Sequence, residues 1–197
     1  ARLVVNQYGQ QAGTGPEQVA RDNLAEFVGA LVLHNDVSAR DVQLPQVQFY
    51  KGKSYRTFGP TGPWLTLVDA DDLAHFDEIE ISLEVNGERR QHSLASDISF
   101  KPAETLTELS ALQDLWPGDL IVTGTPGGTA VKSPGTVKMA IARLLPEGKR
   151  WELFIKGALN DPDYLRDGDL VTASGKSADG RIDLGLHHNR VVPREAR

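Results

Sequence analysis

The sequence predicts an α+β fold, strand-dominated with a few short helices. Three observations predict it. Ile79, Ile81, Leu83 and Val85 alternate with Glu78, Glu80, Ser82 and Glu84, the period of a half-buried strand. Asn86-Gly87 follows at once, the dipeptide that a type I′ hairpin turn favours. Two short runs rich in β-branched residues, Leu120-Ile121-Val122-Thr123 and Leu170-Val171-Thr172, each emerge from a Gly-Asp turn and read as strands of one sheet system.

The remaining elements follow in chain order. Ala1 to Tyr8 reads as a strand, and the polar stretch 10–15 as a turn. Pro16-Glu17 suits the first turn of a helix, where proline loses no hydrogen bond and an acidic group meets the positive end. Ala20, Leu24, Phe27, Val28 and Leu31 continue that helix as an apolar stripe, which Gly29 ends or loosens. Ala30 to Leu33 is then a buried extended segment. Phe58-Gly59-Pro60-Thr61-Gly62-Pro63-Trp64 is a rigid turn region, and Arg89 to Leu94 returns the hairpin. Leu106, Leu109 and Leu112 predict a short amphipathic helix over Thr105 to Leu115, stopped by Trp116-Pro117-Gly118-Asp119. No linker interrupts residues 1–187, read as one domain, and 188–197 read as a polar tail.

Composition narrows the classes of function. The 197 residues are 40% hydrophobic and 24% charged, ordinary for a globular chain. A net charge of -6 argues against nucleic acid and anionic membranes as partners, while leaving room for a local basic pocket. No cysteine is present, which excludes disulfides, thiolate nucleophiles and sulfur-ligated metals. The absence of a long apolar run or a leader-like segment predicts a cytoplasmic protein.

Chemistry concentrates between His34 and Lys53. An extended segment through residues 32–36 puts His34 and Asp36 on one face and Asn35 on the other. A carboxylate at the end of an apolar strand needs a partner, because unpaired burial is costly. Arg40, Lys53 or a divalent cation can serve; alternatively Asp36 caps the next turn while Arg40 pairs with Asp41. Lys51-Gly52-Lys53-Ser54 lacks the spaced first glycine of a nucleotide-binding loop, so Lys53 is either a surface lysine or is fixed by the turn after it. Thr123-Gly124-Thr125-Pro126-Gly127-Gly128 is a tight turn whose glycines let backbone N–H groups approach an anion. His187-His188 reads as a surface pair, and His34 as either a packed histidine or a base.

These stretches resemble the fumarylacetoacetate hydrolase superfamily. The resemblance rests on Asn35-Asp36-Val37-Ser38-Ala39-Arg40-Asp41-x-Gln43, Lys51 to Ser54, Phe58 to Trp64, Val85-Asn86-Gly87-Glu88, and Pro117 to Gly128, in that order. It implies a mixed β-roll or sandwich-like domain, a homodimer, and Mg²⁺ or Mn²⁺ chelated by a small 2-oxo acid substrate. It implies Asp36 as a metal ligand, with Thr57 and Lys53 supporting the metal and substrate. Gln43 and Thr125 would bind substrate oxygens, Arg40 would brace the loop, and His34 would substitute as catalytic base beside Lys53. The strand Ala1 to Tyr8, where the family carries a Glu-x-Glu pair, has no acidic residue. The activity implied is metal-dependent cleavage of C–C bonds in diketo acids such as acylpyruvates, with decarboxylation or keto–enol isomerisation as variants. The alternative is a non-catalytic homologue, or the inactive half of a paired assembly, that binds a small acid.

Overall fold

The computed structural model describes residues 2–5, 19, 22–47, 49–131 and 144–193, with the backbone alone for 2–5. Its strands form two four-stranded antiparallel sheets. The first joins β1 (Arg2–Val5), β2 (Val28–Val32), β3 (Thr66–Leu67) and β6 (Leu120–Val122) in the order β3-β2-β1-β6. The second joins β4 (Ile79–Val85), β5 (Glu88–Leu94), β7 (Leu170–Ser177) and β8 (Asp183–Arg190) in the order β5-β4-β7-β8. Leu31, Leu33 and Ile121 of the first sheet and its extension meet Ile79, Ala173, Ile182 and Leu184 of the second in one buried cluster. Removing this apolar surface from water is the main favourable term in folding.

The β4–β5 hairpin is the pattern-predicted one, with Asn86 and Gly87 at φ 53 and 82 as its turn demands. Asn86 also ties the hairpin to β7: its side chain donates to Asp169 at 2.8 Å and accepts from the Leu170 N–H at 2.9 Å.

Four expectations need correction. The stripe through Leu24, Phe27, Val28 and Leu31 splits: α1 covers only Leu24–Phe27, and Val28–Val32 is strand β2. A central strand buried on both faces shows no alternation, and a short apolar run satisfies both periods. The helix expected from Thr105 is α5, Pro102–Leu112, started by proline at its first position and by Glu104 accepting from the Lys101 N–H. The two Gly-Asp turns deliver β6 and β7 to different sheets. Strand β8 runs to Arg190, three residues into the stretch read as a polar tail, because His188, Asn189 and Arg190 pair with β7. The proposed helix start at Pro16-Glu17 lies outside the described residues. Helices α2 (Arg40–Gln46), α3 (Phe49–Lys53), α4 (Ala70–Ala74) and α6 (Glu147–Asn160) were not foreseen. Among the described residues no helix is long and apolar enough to cross a membrane.

Helices α2 and α3 touch closely enough that a Cβ on Gly52 would lie 2.7 Å from the Gln43 Cβ and 3.0 Å from its Cα. Gly52→Ala should therefore force the helices apart and lower stability by about 1–3 kcal/mol, read from the urea midpoint. An unchanged midpoint would show that the contact is loose.

His187 is half-buried on β8, accepts from the Asn189 amide at 2.6 Å, and has its Nε2 buried with no partner. Burial, then the neighbouring His188, holds its imidazole below the usual histidine value. The unfolded chain takes up this proton near pH ~6.5, before the folded one does, so stability present above that pH is lost as pH falls below it. The melting temperature should drop between about pH 7 and pH 5, and His187→Gln should flatten that slope. An equal slope in the variant would assign the pH dependence elsewhere.

Candidate functional site

Beyond β2 the chain runs through residues 33–39 without regular structure, yet it is pinned at several points. The Asn35 N–H donates to the Pro60 carbonyl at 3.1 Å and the Ala39 N–H to the Gly52 carbonyl at 2.8 Å, while the Gly62 N–H donates to Leu33 at 3.0 Å. These bonds fasten the loop to the turn region on one side and to α3 on the other. Asp36 and Lys53, seventeen residues apart, thereby meet in an ion pair between Asp36 Oδ2 and Lys53 Nζ. Their side chains are only 25% and 30% exposed, so neither charge is fully hydrated and each needs the other.

Arg40 begins α2 and donates through Nη1 to Gln43 Oε1 at 2.5 Å. Gln43 is 2% exposed, and a buried amide oxygen requires such a donor. Thr57 holds φ 70, a left-handed conformation that a β-branched residue rarely adopts. Strain of this kind gathers at functional sites, and here it stands on the site wall.

The wall belongs to a cavity of about 990 Å³. Asp36, Arg40, Thr57 and the adjacent Asn35 and Ser38 line one part. Leu83, Val85, Arg90 and Val171 line another from the second sheet, and Ile155 and Leu159 of α6 contribute apolar surface. Arg90 is held by Asp163, its Nη1 2.6 Å from Oδ1, and by Glu88 at 3.4 Å. Its backbone also fixes the glycine-rich turn: a Cβ on Gly128, at φ 94, would lie 2.0 Å from the Arg90 carbonyl oxygen. Gln91 adds a bond from Nε2 to the Pro126 carbonyl at 2.9 Å. Tyr164, beyond α6, also lines the cavity; burial first and Asp161 second push its hydroxyl above the usual tyrosine value, while Arg40 opposes them.

Of the residues singled out in the sequence, Asp36, Arg40 and Thr57 line the cavity, and Lys53 joins it through Asp36. Gln43 lies beneath Arg40 and is not part of the lining. His34 makes a 2.9 Å Nδ1 contact with the Thr61 hydroxyl, and its ring packs so closely on Gly59 that a Cβ there would come within 2.8 Å of Cε1. Thr125 is exposed in the turn after β6, whereas the nearby Gly128 and Thr129 line the cavity. Arg90, Asp163 and Tyr164 went unnoticed in the sequence, since nothing local connects a strand arginine to an acid 73 residues away.

Magnesium and manganese, the ions the resemblance implies, take several hard oxygen ligands. Among the described residues no group of three or more His, Cys, Asp or Glu side chains could hold an ion. Asp36, the carboxylate on offer, already carries the Lys53 ammonium. Strand β1 pairs Arg2 with Val32, the last residue of β2 before the loop that carries Asp36. The described donor set does not fit a divalent cation.

Comparison with known proteins gives a consistent frame. The chain is 42% identical over 114 residues to the mitochondrial oxaloacetate tautomerase FAHD2B of Bos taurus, across 57% of this chain and 35% of that protein. The solved fumarylacetoacetate hydrolase of the psychrophile Exiguobacterium antarcticum is 29% identical at a TM-score of 0.65, covering 98% of this chain and 55% of that one. A fumarylpyruvate hydrolase from Pseudomonas aeruginosa, solved with Mn²⁺ and pyruvate, matches in fold at a TM-score of 0.65 with 24% identity, covering 98% of this chain and 64% of that one. The chain spans less than half the length of the curated relatives it matches. Residues 9–192 match the model of the fumarylacetoacetate (FAA) hydrolase C-terminal domain, and the chain belongs to that family.

Proposed function

We propose that this chain forms the catalytic domain of an enzyme acting on a small 2-oxo acid, stabilising its enolate so that a neighbouring C–H or C–C bond can break. The observation that carries the reading is the Asp36–Lys53 pair at the wall of a cavity that also presents Arg40 and the strained Thr57. A 2-oxo acid offers a carboxylate and an adjacent carbonyl, two acceptors that suit two cationic donors. Arg40 keeps N–H groups beyond the one given to Gln43, and these bind the carboxylate. Lys53 donates to the 2-oxo oxygen. As the bond breaks, negative charge gathers on that oxygen and the ammonium interacts with it more strongly than with the ground-state carbonyl.

Asp36 acts through Lys53: it keeps the ammonium in place and limits the reorganisation needed during reaction. The apolar surface from Ile155, Leu159 and Val171 restricts water around the charges and strengthens them. Keto–enol isomerisation passes through the enolate and needs a base to take and return the α-proton, while hydrolysis of a diketo acid needs water at the distal carbonyl. The similarity to an oxaloacetate tautomerase and to a fumarylacetoacetate hydrolase supports this pair of reactions. The reading includes a cytoplasmic homodimer; exposed Val47 after α2 and exposed Phe49 and Tyr50 at the start of α3 form apolar surface for a second copy to cover.

Oxaloacetate and acylpyruvates tested side by side should show enolisation or cleavage. Lys53→Met should lower kcat by about 100- to 1,000-fold, the usual effect of deleting one transition-state donor. Full activity in that variant would remove the basis of the reading.

A further inference from the structure

From the same site, and resting on the reading above, we infer that this chain binds the 2-oxo carboxylate without a divalent cation, with the Lys53 ammonium as the cation that faces the substrate oxygens. Three observations carry this. The Asp36 carboxylate is engaged by Lys53. No cluster of three acidic or histidine ligands exists among the described residues. Of the other carboxylates on the cavity wall, Asp163 is committed to Arg90 and Asp161 accepts from the Asp163 N–H at 2.9 Å, while Asp41 is exposed in the first turn of α2. Hard divalent ions bound through a single carboxylate already shared with an ammonium compete poorly with water.

The positive charge around the loop is instead supplied by the chain. Lys53 and Arg40 flank the 35–39 loop. In the free protein Asp36 satisfies the ammonium. An incoming carboxylate competes for the same N–H donors, so Asp36 holds the place of the ligand and repels it at once. This arrangement has a consequence opposite in sign to that of a metal ligand. Neutralising Asp36 leaves Lys53 available and removes the repulsion, whereas neutralising a metal ligand removes the ion and the substrate with it.

The test is calorimetric titration of the 197-residue chain with oxalate, a planar mimic of the enolate, in EDTA and again in manganese chloride. Equal affinity in the two conditions, within about twofold, supports the inference. Asp36→Asn should bind oxalate at least as tightly as the original chain in EDTA. Lys53→Met should weaken binding by about tenfold or more, and Lys53→Arg should retain most of it. Thermal melts of each variant confirm that the site is folded when it is titrated. Oxalate binding that requires manganese, or that disappears in Asp36→Asn with the fold intact, overturns the inference and leaves the proposed function standing on a metal. Failure of oxalate to bind in either condition overturns both.

Discussion

The Asp36–Lys53 ion pair is the constraint on which the site is built. A half-buried carboxylate and a half-buried ammonium cannot be left apart without an electrostatic penalty. Bringing them together fixes the loop after β2 against the end of α3. The backbone bonds from Asn35 to Pro60 and from Ala39 to Gly52 do the holding, and Gly52 lets α3 approach α2 without a side chain between them. A partly exposed pair of this kind contributes little net stability, on the order of 1 kcal/mol or less. Its value lies in the fixed position of a cation against the Asp36 carboxylate of the cavity wall.

The acidic chain surrounds this basic locus without cancelling it. Net charge is -6, yet Arg40, Lys53 and Arg90 are all directed to or tied into one cavity. Arg90 differs from the others because Asp163 and Glu88 both face it, so it fastens β5 and the glycine-rich turn to the segment after α6. Arg40 has the neutral Gln43 amide as its defined partner, so that bond does not cancel its charge. Under the proposed function, the distinction between a structural and a binding arginine rests on what each is paired with.

The sequence exposed some of this and concealed the rest for physical reasons. The β4–β5 hairpin was readable because strict alternation and Asn86-Gly87 are local signals with one interpretation. Strand β2 was partly misread because residues from Leu24 to Val32 meet helical spacing, while burial of β2 on both faces removes the alternation that marks a strand. The cost of a lone buried carboxylate offers Asp36 three partners, Arg40, Lys53 or a cation, while spacing alone favours Asp36 as a turn cap with Arg40 paired to Asp41; the choice of Lys53 rests on tertiary structure. The Gln43 role was not readable: its position under Arg40 depends on how closely α2 and α3 pack. The contribution of α6 to the cavity, and the Arg90–Asp163 contact, arise only from tertiary arrangement. Among the stretches that carried the family resemblance, those around Asp36 and Gly128 meet at one cavity, which accounts for their spacing along the chain.

The most direct measurement is anomalous diffraction from crystals of the chain grown with oxalate and manganese chloride together. The account predicts oxalate density within hydrogen-bond reach of Lys53 Nζ and the Arg40 guanidinium, with no manganese signal at Asp36. A manganese peak coordinated by the Asp36 carboxylate and bridging to oxalate would contradict it.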